Sequence, residues 1–481
     1  MNSLLHLSAT QLAKQIREGQ VTSRAVVQAH VDHARKHNPQ LNAIVADRYD
    51  QALAEADAAD QVLAKVGPAN VPQFHGVPCT IKESIRVVGM PHTAGLVSRK
   101  DLRMTQDADT VRRIRAAGGI ILGVTNTSEL CMWMESSNKV YGVSNNPYDF
   151  TRIVGGSSGG EGAIIGSGAS PFGLGADVGG SIRMPAFFNG VFGHKPSPNI
   201  ISNAGHHPVP TRGLCRTLTT GPLCRKAEDL WPLVQLLAGP DPEDPDCTNA
   251  LLGDPKDVKI AELTVWTIED NGFLEVDPEL RAAQRKAADA LAALGATVKT
   301  TSIPLLKKSF QLWSATMSAG NGTPFVQLMG GDGPAVNPWT ELVKWSFGQS
   351  HHTLPAILLG VGEVLEHIVP MGQEQSLKDA AALRKEMAEL LGPKGIFLYP
   401  SYTRPAPKHN APLRRPLDWI YTAVGNVLEM PITQVPLGLG TLGVPLGVQV
   451  GSVSGNDAVT IAVALALESA FGGWVPPKNL D

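Results

Sequence analysis

The chain has 481 residues, 43% hydrophobic and 18% charged, with a net charge of −3. That balance excludes a disordered or low-complexity protein and gives no electrostatic reason to expect nucleic acid as a partner. The length alone would allow about three domains, yet no charged tail or low-complexity linker divides the chain, so one large core is expected.

The first sixty residues read as helices. Ser8-Ala9-Thr10-Gln11 has the capping-box pattern ahead of Leu12, Ile16 and Val21, and Thr22 opens a second periodic segment that should stop before Pro39. His30, His33 and His37 fall near one face of that helix, but no carboxylate or cysteine motif accompanies them, so they are expected to face solvent rather than bind metal. The beginning, MNSLLHLSATQLAKQ, lacks the basic start and apolar run of a secretory signal. No later run reaches the ~18 apolar residues of a membrane span, so a soluble chain without an anchor is expected.

Gly76 to Ser84, GVPCTIKES, ends a short strand-like run on Lys82. A buried lysine can lose its proton and act as a base. A helix from Ala108 to Ala117 stops at Gly118-Gly119 and feeds a strand from Ile120 to Thr125, the rhythm of an α/β protein. Leu130, Cys131, Met132 and Trp133 follow; soft and aromatic side chains of this kind most commonly serve as core.

From Gly155 to Pro196 the chain packs Gly and Ser too densely for an ordinary core element, because each Gly costs roughly 0.5–1 kcal/mol relative to Ala within a helix or strand. Ser157-Ser158 and Ser181 each follow a Gly pair, where backbone N–H groups can approach a ligand and form an oxyanion site. Gly156 to Gly160 also satisfies the nucleophile-elbow pattern, which would make Ser158 the nucleophile awaiting an Asp and a His. In so Gly- and Ser-rich a run that pattern carries little weight.

Gly239 to Pro255 is a Pro/Asp-rich surface connection. Asp277-Pro278-Glu279 starts a helix through Leu294 that closes at Gly295, before a strand from Thr297 to Ile303. Residues 305–392 carry Phe310, Trp313, Phe325, Trp339, Trp345 and Phe347. They suggest helices that either shape an apolar channel or only pack a core. Gly438 to Gly443 matches GxGxxG, yet strand-like residues rather than a helix follow, so it reads as a turn and no nucleotide cofactor is implied. Asn456 to Phe471 is a final amphipathic helix. The five cysteines (Cys79, Cys131, Cys215, Cys224, Cys247) are an odd number without C-x-x-C, which indicates neither disulfides nor zinc. A reduced, cytoplasmic setting fits.

GVPCTIKES, GGSSGG and DVGGSIRMPA, in this order, resemble the amidase signature family, and the likeness continues through TTGPLCRKAEDL, PSYTRPAPKHN and VPLGVQVG. Within that family ELCMWMESSN, SNNPYDF and FFNGVFGHKP look most like the fatty acid amide hydrolases of the second vertebrate type and their bacterial relatives. The resemblance implies a mixed β-sheet covered by helices on both faces. It also implies one amidase domain over 1–481, with N-terminal helices in 1–75, the signature core in 76–235 and a variable substrate-channel insert in 300–420.

The same resemblance implies a catalytic lysine at Lys82, a bridging serine on a cis peptide at Ser157 and a nucleophile at Ser181, with the oxyanion held by Val178, Gly179, Gly180 and Ser181. Ser158, Asp177 and Arg183 then brace the loop, and residues 130–133 line the acyl pocket. Lys82, neutral when buried, would take a proton from Ser157 as Ser157 takes one from Ser181. The expected substrates are amides, esters or carbamates with an apolar acyl or aryl part, handled by a monomer or homodimer that needs no metal or cofactor. The vertebrate enzymes carry a membrane anchor, and no counterpart is expected here. Two other classes fit the block: the amidase subunit of a tRNA amidotransferase, and a non-catalytic binding protein.

Overall fold

The computed structural model describes residues 2–480 other than 212, 215, 251, 321 and 369–371, and of 366–368 the backbone alone. Cys215, among the five cysteines, lies outside the described residues. Eleven strands form one sheet: β1 (Ile44–Asp47), β2 (Pro78–Lys82), β3 (Ile120–Thr125), β4 (Phe172–Asp177), β5 (Phe192–Lys195), β6 (Thr219–Cys224), β7 (Thr264–Thr267), β8 (Thr297–Thr300), β9 (Gly395–Tyr399), β10 (Ile432–Leu439) and β11 (Pro445–Ser452). Their order across the sheet is β1-β3-β2-β4-β6-β5-β10-β11-β9-β7-β8. β2 runs parallel to β3 and β4, whereas the strands from β4 to β9 pair antiparallel, so the sheet is mixed.

Fifteen helices among the described residues flank it: α1 (Ala9–Arg17), α2 (Ser23–Leu41), α3 (Tyr49–Val66), α4 (Asp109–Ala116), α5 (Gly159–Gly166), α6 (Arg183–Phe188), α7 (Leu230–Leu237), α8 (Pro278–Ala293), α9 (Ser309–Ala319), α10 (Phe325–Gly330), α11 (Pro338–Ser346), α12 (Leu354–Ile368), α13 (Gln373–Leu391), α14 (Ile420–Val427) and α15 (Asp457–Phe471). They cover both faces. Within β3, Ile120 and Leu122 join a cluster with α2, α3 and α5, while Ile121 joins the larger cluster with α1, α4 and α7. Alternation along a strand sends neighbours to opposite faces, and both are dry, which is why β2 and β3 read as continuous apolar runs.

Local chemistry explains the element ends. Ser8 closes the expected capping box with Gln11, and Asp229 accepts from the Ala9 and Thr10 N–H groups at 2.8 Å, docking α1 onto the chain before α7. Asp277 caps α8, with Pro278 at its first turn. The GxGxxG segment joins two strands, as its Val-Pro sequel implied.

Two expectations are corrected. α2 runs through Pro39 to Leu41, because Leu41 is buried in the apolar cluster and holds the last turn in place. His30, His33 and His37 face the interior instead of solvent: His30 Nδ1 meets Val26 O and His33 Nε2 meets Ser167 O, each at 2.9 Å. Burial pushes His30 down to about 3 and His33 to about 4, so both are neutral core side chains. Among the described residues no helix is long and apolar enough to cross a membrane.

Candidate active site

β2 and β4 are parallel neighbours in the sheet, and each ends on an ionisable side chain, Lys82 and Asp177. Both are wholly buried. The loop from Gly155 to Ser158 passes between Lys82 and α5, and the Gly156–Ser157 peptide is cis. A Cβ at Gly156 would run into the Trp133 carbonyl, so the loop can lie this close to residues 133–135 only with glycine there.

Lys82 Nζ donates to Ser157 Oγ at 2.7 Å, out of contact with solvent. Burial lowers the lysine below its ordinary range, partly opposed by Cys131, Asp177 and Glu161. Ser158 is buried behind the loop, where its hydroxyl meets Ala176 O at 3.3 Å. Its N–H donates to Ser181 O at 3.2 Å, and this bond ties the two serine clusters together. The Ser181 hydroxyl is slightly exposed and makes no side-chain hydrogen bond among the described residues. Lys82 and Ser157 are thus already joined, whereas Ser181 is adjacent through backbone alone. No hydrogen bond among the described residues links a histidine to either serine; His206 instead meets Thr220 Oγ1 at 2.8 Å.

The loop after β4 is fixed from below by an ion pair. Arg183 reaches Asp177 through Nε at 3.0 Å and Nη2 at 2.9 Å, with both side chains fully buried. Burial pushes the Asp177 carboxyl up, but the Arg183 guanidinium and the Asn426 amide outweigh it and hold the acid well below its usual range. Asp177 also accepts from the Gly180 N–H at 2.8 Å and the Ile182 N–H at 3.1 Å. The Gly180 amide, expected in the oxyanion site, is therefore given to Asp177 in this structure. The amides of Val178, Gly179 and Ser181 have no acceptor among the described residues.

Distant segments that sequence reasoning missed complete this loop. Trp313 Nε1 donates to Val178 O and Thr422 Oγ1 to Gly179 O, at 2.8 and 2.9 Å. Asn426 and Gln449 hold the outer face of Arg183 at 2.7 and 2.6 Å. The Trp313 and Trp419 rings meet edge-on, 4.7 Å between centroids, and stand beside Gly179. Trp313 carried an aromatic signal within the insert and Gln449 lay in VPLGVQVG without a role assigned; Thr422 and Asn426 carried no signal.

Of the four expected pocket residues, Cys131, Met132 and Trp133 are half-buried. Leu130 is wholly buried among Leu96, Met329, Ala356 and Ile357, so it anchors the loop to the insert and presents no surface to a ligand. Leu130 and Cys131 both have positive φ, 53° and 60°. Cys131 Sγ lies 3.4 Å from Thr127 Oγ1 and, with Lys82 close by, borders the candidate site.

The family model described as Amidase matches residues 25–461. The chain is 46% identical over 492 aligned positions to fatty-acid amide hydrolase 2 of Homo sapiens, covering 98% of this chain and 91% of that protein. It is 27% identical to a glutamyl-tRNA(Gln) amidotransferase subunit of Koribacter versatilis (strain Ellin345), covering 98% and 99% of the two chains. Among solved structures, 6-aminohexanoate cyclic dimer hydrolase complexed with substrate has a TM-score of 0.79 at 26% identity, over 100% of both chains. With a match across most of its length and a sheet of the same architecture, the chain belongs to the amidase signature family of amide-cleaving hydrolases.

Proposed function

We propose that the chain hydrolyses C–N amide bonds of small molecules with an apolar acyl or aryl part through an acyl-enzyme on Ser181, and that esters and carbamates are also substrates. The observation that carries this reading is the 2.7 Å contact between the buried Lys82 amine and the Ser157 hydroxyl. Burial favours the uncharged amine, and an uncharged amine has a lone pair to accept the Ser157 proton. In this relay one proton moves from the Ser181 hydroxyl to Ser157 Oγ and another from Ser157 to Lys82. Ser181 Oγ then attacks the carbonyl carbon. The free N–H groups of Val178, Gly179 and Ser181 receive the developing oxyanion, each donor typically worth about 2.7–4 kcal/mol of barrier. The relay run backwards protonates the leaving amine, and water cleaves the acyl-enzyme.

Apolar substrates are supported by the half-buried Met132 and Trp133 and by the Trp313–Trp419 pair beside Gly179. The higher identity to fatty-acid amide hydrolase 2 than to the amidotransferase protein supports the same choice, since that relative's name states an acyl amide substrate. The test uses the purified chain alone. It should release aniline from a fatty anilide and take up a fluorophosphonate at Ser181. Ser181→Ala should abolish both, and Lys82→Ala should lower amide turnover by about 10²–10⁴-fold. Labelling that persists in Ser181→Ala, or unchanged turnover in Lys82→Ala, would overturn the assignment.

A further inference from the structure

One buried acid has no part in the relay. Glu161 lies in the first turn of α5, the helix that starts directly after Ser157 and Ser158, and its carboxyl is completely buried. Three adjacent strands build its seat. Thr80 on β2 donates to Glu161 Oε2 at 2.7 Å, and Thr125 on β3 donates to Oε1 at 2.8 Å. Gly173 on β4 leaves the space: a Cβ there would collide with Oε2. Thr125 is the cross-strand partner of Lys82, and Thr80, two residues before Lys82, points to the same face of β2 about 7 Å away. The carboxyl therefore joins the helix that begins after Ser157 to the strand ends that carry Lys82.

We propose that Glu161 is a positioning residue for Lys82: by tying the helix after Ser157 to the strand ends around Lys82, its carboxyl holds the amine against Ser157 and, when ionised, stabilises the ammonium that Lys82 becomes during acylation. This rests on Lys82 acting as the base. The only chemical event involved is the transfer of one proton from Ser157 Oγ to Lys82 Nζ; Glu161 forms and breaks no bond. Burial pushes the Glu161 acid up to about 8, against the pull of the two threonine hydroxyls and Lys82. At neutral pH it is the uncharged acid, and above about 8 a carboxylate held by Thr80 and Thr125 raises the basicity of Lys82 and lowers the barrier to proton transfer.

The other ionisable groups around the pair are Cys79 on β2, Cys131, Asp177 and His206. Burial lifts the Cys79 thiol far above neutrality, Asp177 is held low by Arg183, and burial takes His206 down to about 3. Cys131 is the group the experiment must separate from Glu161.

The test measures kcat/KM of the purified full chain on an anilide between about pH 6 and pH 10. The unaltered chain should rise through about pH 8. Glu161→Gln keeps both threonine contacts without the titration, so it should stay level there and fall short above that pH by up to about tenfold. Thr125→Val removes one donor to the carboxylate and should move the rise to higher pH, an outcome independent of whether Glu161→Gln folds. Cys131→Ser should retain the rise. Absence of a rise in the unaltered chain, its survival in Glu161→Gln, or its loss in Cys131→Ser would overturn the role of Glu161. Lys82→Ala, run alongside, keeps the two readings apart: full turnover there removes the base itself, whereas an inactive Lys82→Ala with an unaltered Glu161→Gln profile removes only this inference.

Discussion

At the residue scale the molecule invests most in holding the 178–181 loop. Asp177 and Arg183 are both fully buried, and each spends its remaining hydrogen-bonding capacity on neighbours: Gly180 and Ile182 amides for the acid, Asn426 and Gln449 for the guanidinium. Removing one member of such a pair leaves the other charge unpaired in a dry site, which costs about 3–5 kcal/mol. Asp177→Asn should therefore lower the urea midpoint by a corresponding amount and collapse turnover with it; a variant of normal stability would mean that water or another group takes up the Arg183 charge. Because the Asp177 acid is held below its unfolded value, its contribution is complete above that value, about 3.8, and is lost as the pH falls through the folded one. The Gly/Ser block made the position of this loop legible in the chain. The pairing of Lys82 with Ser157 was legible only through resemblance, since nothing local brings the end of one strand against a loop seventy-odd residues later. Asn426 and Thr422 were not legible at all, and Gln449 only as part of VPLGVQVG without a role, because an amide or hydroxyl acquires its role from partners that only the closed sheet supplies.

Elements with their own terminal chemistry were readable: Ser8 before α1 and Asp277-Pro278 before α8 both mark ends that the structure shows. Elements whose ends are set from elsewhere were not. α2 outruns its proline because Leu41 is buried. The segment leading into α12 is held by Glu129, far back in the chain, which accepts from the Thr353 N–H at 2.8 Å and meets His352 Nδ1 at 2.6 Å. This one carboxylate joins the loop of residues 130–133 to the helical insert, above the apolar contact of Leu130 with Ala356 and Ile357. Glu129→Ala should leave the sheet intact but fray α12, increasing amide exchange across residues 354–365 and raising KM for long acyl substrates more than it lowers kcat. If exchange in α12 is unchanged, the apolar contacts alone hold the insert and Glu129 is dispensable to it.

At the scale of the whole molecule, a chain of 481 residues exceeds the size at which single cores ordinarily divide. Here the dividing surface is absent from the sheet. Strands from the first half, β1 to β6, end on β5, which pairs directly with β10; β10 pairs with β11, and β11 carries β9, β7 and β8 on its far side. The loop after β4 uses both halves, since Asp177 and Arg183 depend on Asn426 and Gln449. Loss of the second half would expose the edge of β5 and strip Arg183 of two acceptors, so neither half retains a satisfied interior by itself. The expected consequence is one cooperative transition in urea, with far-ultraviolet circular dichroism, tryptophan fluorescence and anilide turnover falling together. Tryptophans are placed to report separately if it were otherwise: Trp231 follows β6, whereas Trp266 lies within β7. Two resolved transitions, with turnover lost in the first and Trp231 changing in the second, would show that the strands from β7 to β9 form a unit that opens on its own.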